Sequence, residues 1–294
     1  MHPYRPEGKH DPVPSVEVLR KSIGTGNIYQ GLCVKCDEYH NLHLDLGPLK
    51  GIIPREEAAT GLAEGRTKEI AILSRVGKEV CFQVLDFDRN GNAILSRKAA
   101  QLDAKNYFFS ALHPGDVIPA RVLNATELGV FCDIGCGFTA LMRIDRCCIS
   151  RLNTAAAIFH PGQDILACVL AINDFQGTID LTGRELLGTW EENASVFRPG
   201  QTVTGIVRSI MPYGIFVELA PNLSGLTEPT DGIQAGDRVS VYIRSILASS
   251  HKIKLNILEV LPHSASAPTL EYRIQKGPLR QWQYYPGSTA LTVF

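Results

Sequence analysis

An ungapped internal repeat is the feature that most constrains the fold of this chain. The matched blocks lie 85 residues apart: 113–118 with 198–203, 129–134 with 214–219, and 140–141 with 225–226. Three separate blocks at one spacing are a poor fit to chance. Because a repeat of this kind decides the architecture of a whole chain, the sequence predicts copies of one structural module.

A third, more divergent copy precedes these two. Residues 42–46 match 215–219 once one residue is inserted, and 94–98 closes this copy as 253–256 closes the last one. Each copy is about 70 residues long, which suits a small five-stranded barrel. The sequence therefore predicts three related modules in tandem.

Apolar and polar side chains alternate with a period of two inside each copy. In the third copy Ile215, Val217 and Leu219 alternate with Phe216 and Glu218. This period marks strands that turn one face toward a core, and Gly, Pro and Asn between the strands are typical of small barrels. The predicted fold is all-β, with three tandem five-stranded barrels joined by short helical connectors.

The pattern changes between the copies and at both ends, which divides the chain into seven segments. The predicted segments are an extended N-terminal arm at 1–25, barrel one at 26–97, a helical connector at 98–112, barrel two at 113–183, a second helical connector at 184–197, barrel three at 198–260 and a C-terminal tail at 261–294. Apolar residues recur at helical spacing from Leu186 to Phe197, and both connectors end where Pro-Gly opens the next barrel.

The tail is predicted to pass from a Ser/Ala/Pro bridge into a hairpin laid on barrel three. Polar and apolar residues alternate around 276–278, and Trp282, Tyr284 and Tyr285 make the segment aromatic. We expect these rings to pack against barrel three, because large aromatic side chains gain most from burial.

Charge composition excludes a chain that binds nucleic acid through a global positive field. Lys and Arg number 29 against 30 Asp and Glu, so any nucleic-acid site has to be a local patch. The first residues lack the apolar run of a signal peptide, and no apolar run is long enough to span a membrane. The expected location is the cytoplasm, with no membrane partner and with the 8 cysteines as free thiols.

The sequence carries no pattern of a metal site or a catalytic centre. Cys33 and Cys36 are three positions apart, so on a strand they point to opposite faces, and no second pair follows at the spacing of a zinc finger. Cys147 and Cys148 are adjacent, which is a poor arrangement for one tetrahedral site. Phosphate-binding loops, nucleophile elbows and zinc-protease motifs are absent. We expect no cofactor, no structural metal and no enzymatic activity.

An aromatic ring recurs at one outward position in all three copies. The apolar neighbours in each alternating strand face the core, so Phe216, Phe131 and His43 face outward beside an acidic residue. Two interpretations are open. In the first, a connector helix or a neighbouring barrel covers each ring. In the second, each ring is a platform on which RNA bases stack, whatever the RNA sequence.

Barrel three adds further groups to its outward ring. Tyr213 supplies a second ring three positions before Phe216. Four cations of the same barrel are candidates for phosphate contacts: Lys252, Lys254, Arg208 and Arg244. Rings combined with cations are the groups that hold single-stranded nucleic acid without sequence preference.

Several segments resemble the repeat of bacterial ribosomal protein S-one. They are Tyr-Gly-Ile-Phe-Val-Glu-Leu at 213–219, Gly-Leu at 225–226, Lys-Ile-Lys-Leu at 252–255, Ile-Leu-Ser-Arg-Lys at 94–98 and Arg-Glu-Leu-Leu-Gly-Thr-Trp at 184–190. The resemblance extends from residue 26 to residue 260 and is strongest in copies two and three. It implies OB-fold barrels that bind single-stranded RNA.

The resemblance also implies a set of RNA contacts. The set comprises two rings that flank the Gly of the Tyr-Gly-Ile-Phe stretch, a His after the Gly-Leu pair, and an Asp and an Arg near the last strand. Copy three keeps both rings, but it has Glu228 at the His position, Lys252 at the Arg position and no Asp near Ala248. Copy three is therefore expected to bind RNA best.

The other two copies depart further from this set. Copy two keeps Phe131 and Asp174, with Leu128, Arg143 and Thr178 at the remaining positions. The corresponding residues of copy one are His43, Pro54, Asp88 and Asn92. Early repeats of the family often dock onto the ribosome through protein contacts, and copy one is a candidate for such a role.

The expected function is sequence-tolerant binding of single-stranded RNA by the tandem barrels. The resemblance implies that this RNA is messenger RNA held at the small ribosomal subunit during translation. Two alternatives stay open. One is a protein-docking adaptor whose outward rings anchor a partner, and the other is an RNA-binding factor in RNA turnover or transcription.

Overall fold

Three closed five-stranded barrels form the body of the chain and confirm the predicted all-β fold. The computed structural model describes residues 4–8, 12, 14–62, 64–262 and 270–294. The described residues form two compact units. The first holds those up to Leu112 together with Pro119–Arg121 and Cys132–Ala140, and the second holds the others.

The N-terminal arm differs from the extended segment that its prolines predict. Helix α1 (Val16–Lys21) lies in it, with Ser15 as its N-cap, and Leu19 is buried in the core of barrel one. Glu7 is buried as well, and its carboxylate accepts hydrogen bonds from Nε and Nη2 of Arg97, both at 2.7 Å. Long-range packing and ion pairing therefore shape this segment more than its local composition does.

Barrel one closes around a compact apolar core. Its strands are β1 (Tyr29–Cys36), β2 (Leu42–Asp45), β3 (Lys50–Ile53), β4 (Glu79–Phe87) and β5 (Ala93–Ser96), with the short helix α2 (Ile70–Leu73) between β3 and β4. The order around the barrel is β1-β2-β3-β5-β4, and β3 runs parallel to β5. Gly51 lets these two strands pack closely, because a Cβ there would lie 2.5 Å from Cδ1 of Leu95.

Helix α3 (Arg97–Ala111) follows barrel one in the first predicted connector. The Ser96 hydroxyl caps it by accepting the N–H of Ala99 at 2.8 Å. Ala100, Ala104 and Phe108 are fully buried along one face at helical spacing. This helix is thus a packed element of the fold.

Barrel two has the same strand order as barrel one. Its strands are β6 (Val117–Ala125), β7 (Gly129–Asp133), β8 (Thr139–Arg143), β9 (Asp164–Asn173) and β10 (Thr178–Thr182), with α4 (Ile144–Cys147) after β8. They close in the order β10-β8-β7-β6-β9. The last strand again runs parallel to the third, with Asp180 beside Leu141.

The second predicted connector is broken into two short pieces. A 3-10 turn at Arg184–Leu187 and helix α5 (Trp190–Ala194) are separated by Gly188, whose φ is 86°. A Cβ at Gly188 would lie 2.7 Å from Cγ of Arg273. The tail therefore passes close to this glycine, and one continuous helix does not form.

Barrel three repeats the same topology and incorporates the tail into its core. Its strands are β11 (Thr202–Met211), β12 (Gly214–Ala220), β13 (Leu223–Thr227), β14 (Arg238–Leu247) and β15 (Lys252–Leu261). In the tail, β16 (Gln281–Gln283) and β17 (Leu291–Val293) pair antiparallel. Trp282 and Tyr284 are buried in the core of barrel three. The predicted Ser/Ala/Pro bridge falls at 263–269, outside the described residues.

All eight cysteines are free, and seven of them are buried. Burial raises the pKa of the Cys147 thiol to about 12 and that of Cys33 to about 11, so both are neutral thiols near pH 7. Within the described ranges, no group of three or more His, Cys, Asp and Glu side chains is placed to hold a metal ion. No helix in those ranges combines the length and apolar character needed to cross a bilayer.

Candidate nucleic-acid interface

One row of neighbouring residues crosses the outer face of barrel three. Phe216 on β12 pairs with Leu226 on β13, and Leu226 pairs with Lys254 on β15. Residues directly opposite each other on adjacent strands present their side chains to the same face. Phe216 and Leu226 are half-buried and Lys254 is exposed, so a ring, an apolar side chain and an ammonium group share one surface.

A second ring stands at the end of this row. Tyr213 lies in the turn between β11 and β12, and its side chain is 66% exposed. Its ring is perpendicular to that of Phe216, with the centroids 6.2 Å apart and an interplanar angle of 90°. An edge-to-face contact orients two rings relative to each other, and the exposure of Tyr213 leaves part of its ring accessible to a flat partner.

Two lysines and one arginine lie on strands β14 and β15 of the same barrel. Lys252 and Lys254 are exposed on β15, and neither ammonium group forms an ion pair with a residue that the structure describes. Arg244 sits at a bulge of β14, and its Nη1 lies 3.7 Å from Oε1 of Glu228 with both side chains largely exposed. Such surface pairs are weak, so Arg244 can exchange Glu228 for a phosphate.

The remaining predicted cation, Arg208, has a different environment. Its Nε and Nη2 donate to the two carboxylate oxygens of Glu218 at 2.8 and 2.7 Å. The side chains of Arg208 and Glu218 are only 9% and 3% exposed. The alternation pattern had indicated that Glu218 faces solvent beside Phe216, but the structure buries it in a two-pronged ion pair.

A segment of barrel two covers the part of barrel three around Glu218. Ser150 donates its backbone N–H to the carbonyl of Pro221 at 3.0 Å, and its hydroxyl lies 3.1 Å from that of Ser224. Ile149 donates its N–H to Oδ1 of Asn222 at 3.0 Å. The neighbouring barrel thus covers one end of the outward face, while Tyr213 at the other end remains exposed.

Barrel two has the same row with a different charge. Phe131 and Leu141 correspond to Phe216 and Leu226 by the 85-residue spacing, and Leu141 pairs with Asp180 on β10. An acidic side chain therefore occupies the place of Lys254. A carboxylate at this point repels the phosphates that an ammonium group attracts.

The other predicted groups of barrel two lie around this row. Arg143 is exposed, and its Nε lies 3.2 Å from Oδ1 of Asp145. Asp174 is exposed in the turn between β9 and β10. The next residue, Phe175, is fully exposed, and the sequence analysis missed it. Its signal was an aromatic residue between two predicted strands, beside a residue already matched to the family set.

In barrel one the corresponding row is His43, Ile52 and Ile94. Nε2 of His43 lies 2.9 Å from Oδ2 of Asp37. That hydrogen bond, together with those from Asn41 and Tyr39, lowers the pKa of Asp37 below its ordinary value. The ring at this position is held by a carboxylate, and the end of the row is apolar. Of the three rows in the described chain, the one in barrel three alone joins an aromatic ring to a cation.

Comparison with known proteins identifies relatives but no family model, since none matches the chain. The chain is 26% identical over 274 residues to the small ribosomal subunit protein bS1 homolog of Bacillus subtilis, an alignment of 87% of this chain and 69% of the relative. It is 27% identical over 233 residues to bS1 of Leuconostoc lactis, with 74% and 53% covered. For bS1 of Staphylococcus aureus the identity is 27% over 239 residues, with 76% and 59% covered. The chain thus spans between about half and two thirds of the length of these relatives.

Solved structures show similarity at lower levels. A multidomain protein with nucleic acid binding domains from Streptococcus pneumoniae is 15% identical, with 81% of this chain and 75% of that chain covered and a TM-score of 0.27. An uncharacterized protein from Methanocaldococcus jannaschii is 23% identical, with 21% and 93% covered and a TM-score of 0.20. These TM-scores are too low to support an argument about function.

Proposed function

Because this chain is a relative of ribosomal protein bS1, with three barrels that fit tandem S1-type repeats, we propose that it binds single-stranded RNA without strong sequence preference. Barrel three is the principal binding module. The RNA is messenger RNA, held at the small ribosomal subunit in the cytoplasm during translation. The names of the relatives support the ribosomal part of this proposal.

The observation that carries the proposal is the row of Phe216, Leu226 and Lys254 with Tyr213 at its end. Aromatic rings on an outer face can stack with any base, because every base has a π-face. In this proposal Lys252, Lys254 and Arg244 contact the phosphate backbone of the stacked strand. Duplex RNA offers no unstacked bases, so this surface distinguishes single strands from duplexes.

The energetics predict modest binding by barrel three alone. Each stacked base contributes about 1–3 kcal/mol, while association costs roughly 4–15 kcal/mol. Barrels one and two would add further contacts to the same RNA strand, because their linkage to barrel three raises the effective concentration of these binding sites. The candidate residues are Phe131, Arg143 and Asp174 of barrel two and His43 of barrel one. In this proposal Arg208 is paired with Glu218 and stabilises barrel three instead of contacting RNA.

A protein-docking role remains the second candidate, and it applies to barrels one and two. The acidic Asp180 and the His43–Asp37 pair replace the ring-and-cation arrangement there. A row that lacks a cation suits a protein partner better than RNA. In this form of the proposal, barrel three holds RNA and the earlier barrels hold a protein.

Binding to a labelled pyrimidine-rich RNA of about 20 nucleotides, longer than one OB barrel covers, tests the proposal by fluorescence anisotropy. We expect binding of the single strand, weaker binding of the same sequence as a duplex, and loss of affinity with salt. Tyr213→Ala with Phe216→Ala should weaken binding about 5- to 150-fold per lost stack. Phe175→Ala is the control, since it removes a fully exposed ring outside the row of barrel three, and we expect it to leave the affinity unchanged. A folded double variant with full affinity would exclude stacking on these rings.

A further inference from the structure

The turn between β14 and β15 has an unfavourable backbone conformation. A 3-10 turn at Ala248–Ser250 is followed by His251, whose φ of 52° and ψ of 46° are left-handed. Non-glycine residues rarely adopt this conformation, and it persists where surrounding contacts hold it. The contacts of the His251 side chain are therefore among those that hold this turn in shape.

Three groups from outside barrel three hold the imidazole of His251. The ring of Tyr285 in the tail stacks on it, with centroids 4.2 Å apart and an interplanar angle of 11°. Trp190 of α5 meets it edge-on at 5.2 Å and 88°. Its Nε2 lies 3.0 Å from Oε1 of Glu191. We call His251, Tyr285, Trp190 and Glu191 the histidine clasp.

The tail reaches the clasp through contacts that do not involve the Tyr285 ring. The carbonyl of Tyr284 accepts the N–H of Trp190 at 2.9 Å, and the Tyr284 hydroxyl donates to the carbonyl of Asn222. Trp282 and Tyr284 are buried in the barrel core. The backbone beside Tyr285 is thus anchored independently of the stack between Tyr285 and His251.

The clasp lies directly before the cations of the proposed RNA site. His251 is followed by Lys252, the first residue of β15, and Lys252 pairs with Leu247 where the turn closes. Lys254 comes two residues later, in the row with Phe216. We expect a change in the conformation of His251 to alter the direction in which β15 leaves the turn, and with it the positions of the two ammonium groups.

We infer that the C-terminal tail is a positioning element of the RNA-binding face, which it controls by clamping His251 with Tyr285. This inference rests on the proposed function of barrel three. Tyr285 and His251 are positioning residues in this scheme, because they act through Lys252 and Lys254. The ligand they serve is the phosphate backbone of a single RNA strand.

The test compares Tyr285→Ala with Tyr285→Phe in the full chain. We expect Tyr285→Ala to weaken binding of the labelled single-stranded RNA about two- to tenfold, the range that corresponds to ordering a loose side chain on binding. Tyr285→Phe should bind like the wild type, because stacking needs the ring and not the hydroxyl. Val293→Ala, an exposed change elsewhere in the tail, is the control and should have no effect.

Amide hydrogen exchange provides a readout that a general loss of stability would not reproduce. In Tyr285→Ala we expect faster exchange confined to 248–254, with β11 to β13 as protected as in the wild type. His251→Ala combined with Tyr285→Ala should weaken RNA binding no more than either change alone, because both remove the same contact. If Tyr285→Ala does not fold, Glu191→Gln tests the clasp from its exposed side, and we expect a smaller loss of affinity.

The outcomes separate the two proposals. Wild-type protein that does not bind the RNA overturns the proposed function, and the positioning role falls with it. Wild-type binding with equal affinity in Tyr285→Ala and Glu191→Gln overturns the positioning role and leaves the proposed function intact. Faster exchange in the turn without any loss of affinity also counts against it, because the turn would then be clamped for stability alone.

Discussion

Lys254 of barrel three and Asp180 of barrel two occupy equivalent positions, each beside the leucine of the third strand, and they carry opposite charges. The two barrels have the same strand order and the same outward phenylalanine at the 85-residue spacing. The two rows therefore match in their apolar residues and differ in the sign of the charge at their last position.

Reversing the charge at these two positions should change RNA affinity in opposite directions. We expect Lys254→Asp to weaken RNA binding about tenfold at low salt and to reduce the salt dependence by about 0.7 in log–log slope for the lost phosphate contact. Asp180→Lys should strengthen binding. Anisotropy titrations at several salt concentrations measure both effects. Lys276→Asp, an equal charge change in the exposed tail, is the control, and an identical loss there would mean that only net charge matters.

The Arg208–Glu218 pair should act on stability rather than on RNA affinity. Arg208→Met leaves the Glu218 carboxylate buried without its partner, which we expect to lower the free energy of unfolding by about 3–5 kcal/mol. Arg208→Met with Glu218→Met removes both charges and should recover most of that loss. Urea unfolding measures these differences. A folded double variant with weaker RNA binding would instead assign Arg208 a direct contact with RNA.

The buried carboxyl groups of Glu7 and Asp133 in the first unit predict that the free energy of unfolding depends on pH. Burial and the nearby Glu7 carboxylate raise the pKa of Asp133 to about 7, against about 3.9 in an unfolded chain. Between these values the folded state binds more protons, so the free energy of unfolding falls as pH rises from 4 toward 7. Burial opposes ionisation of Glu7 as well, but Arg97 outweighs it and lowers the pKa of Glu7. The contribution of Glu7 is therefore lost only in acid.

Asp133→Asn isolates the Asp133 effect. Relative to this variant, the wild type should lose on the order of 2 kcal/mol of unfolding free energy between pH 5.5 and pH 8. Urea unfolding followed by circular dichroism at each pH measures it. Asp231→Asn, at an exposed site, should leave the pH dependence unchanged. A wild type whose stability is flat across this range would show that Asp133 stays ionised.

Phe175 is an exposed aromatic ring for which we expect no role in RNA binding. The ring is fully exposed, so Phe175→Ala should change the free energy of unfolding by no more than about 0.5 kcal/mol. Because Asp180 makes the adjacent row acidic, we also expect unchanged RNA affinity. Thermal unfolding and anisotropy check the two parts, and a clear loss of affinity would bring barrel two into the RNA-binding surface.

Periodicity was sufficient to predict the barrels, because each strand pattern repeats locally. Ile215 and Val217 are buried, and Phe216 is directed to the outer face, as alternation indicates. The alternation of apolar and polar residues could not predict the buried environment of Arg208, and two features of the structure explain why. A bulge in β11 disturbs the register beside it, and the segment that covers Glu218 comes from barrel two, which alternation within one strand does not report.

The arm and the second connector show the same limit of local patterns. Glu7 lies in a proline-rich stretch, and its burial depends on Arg97, which is 90 residues away in sequence. Gly188 interrupts the connector because the tail returns to pass beside it. In both places a contact between distant parts of the chain overrides what neighbouring residues favour, and a single sequence gives no sign of that contact.

The burial of Trp282 and Tyr284 in the core of barrel three has a practical consequence for anyone who dissects this chain. A fragment cut after residue 261 keeps every strand of the barrel but loses two aromatic side chains from its core. Barrel three is therefore not a portable unit by itself. A piece excised with its interior intact has to include the tail residues Trp282 and Tyr284.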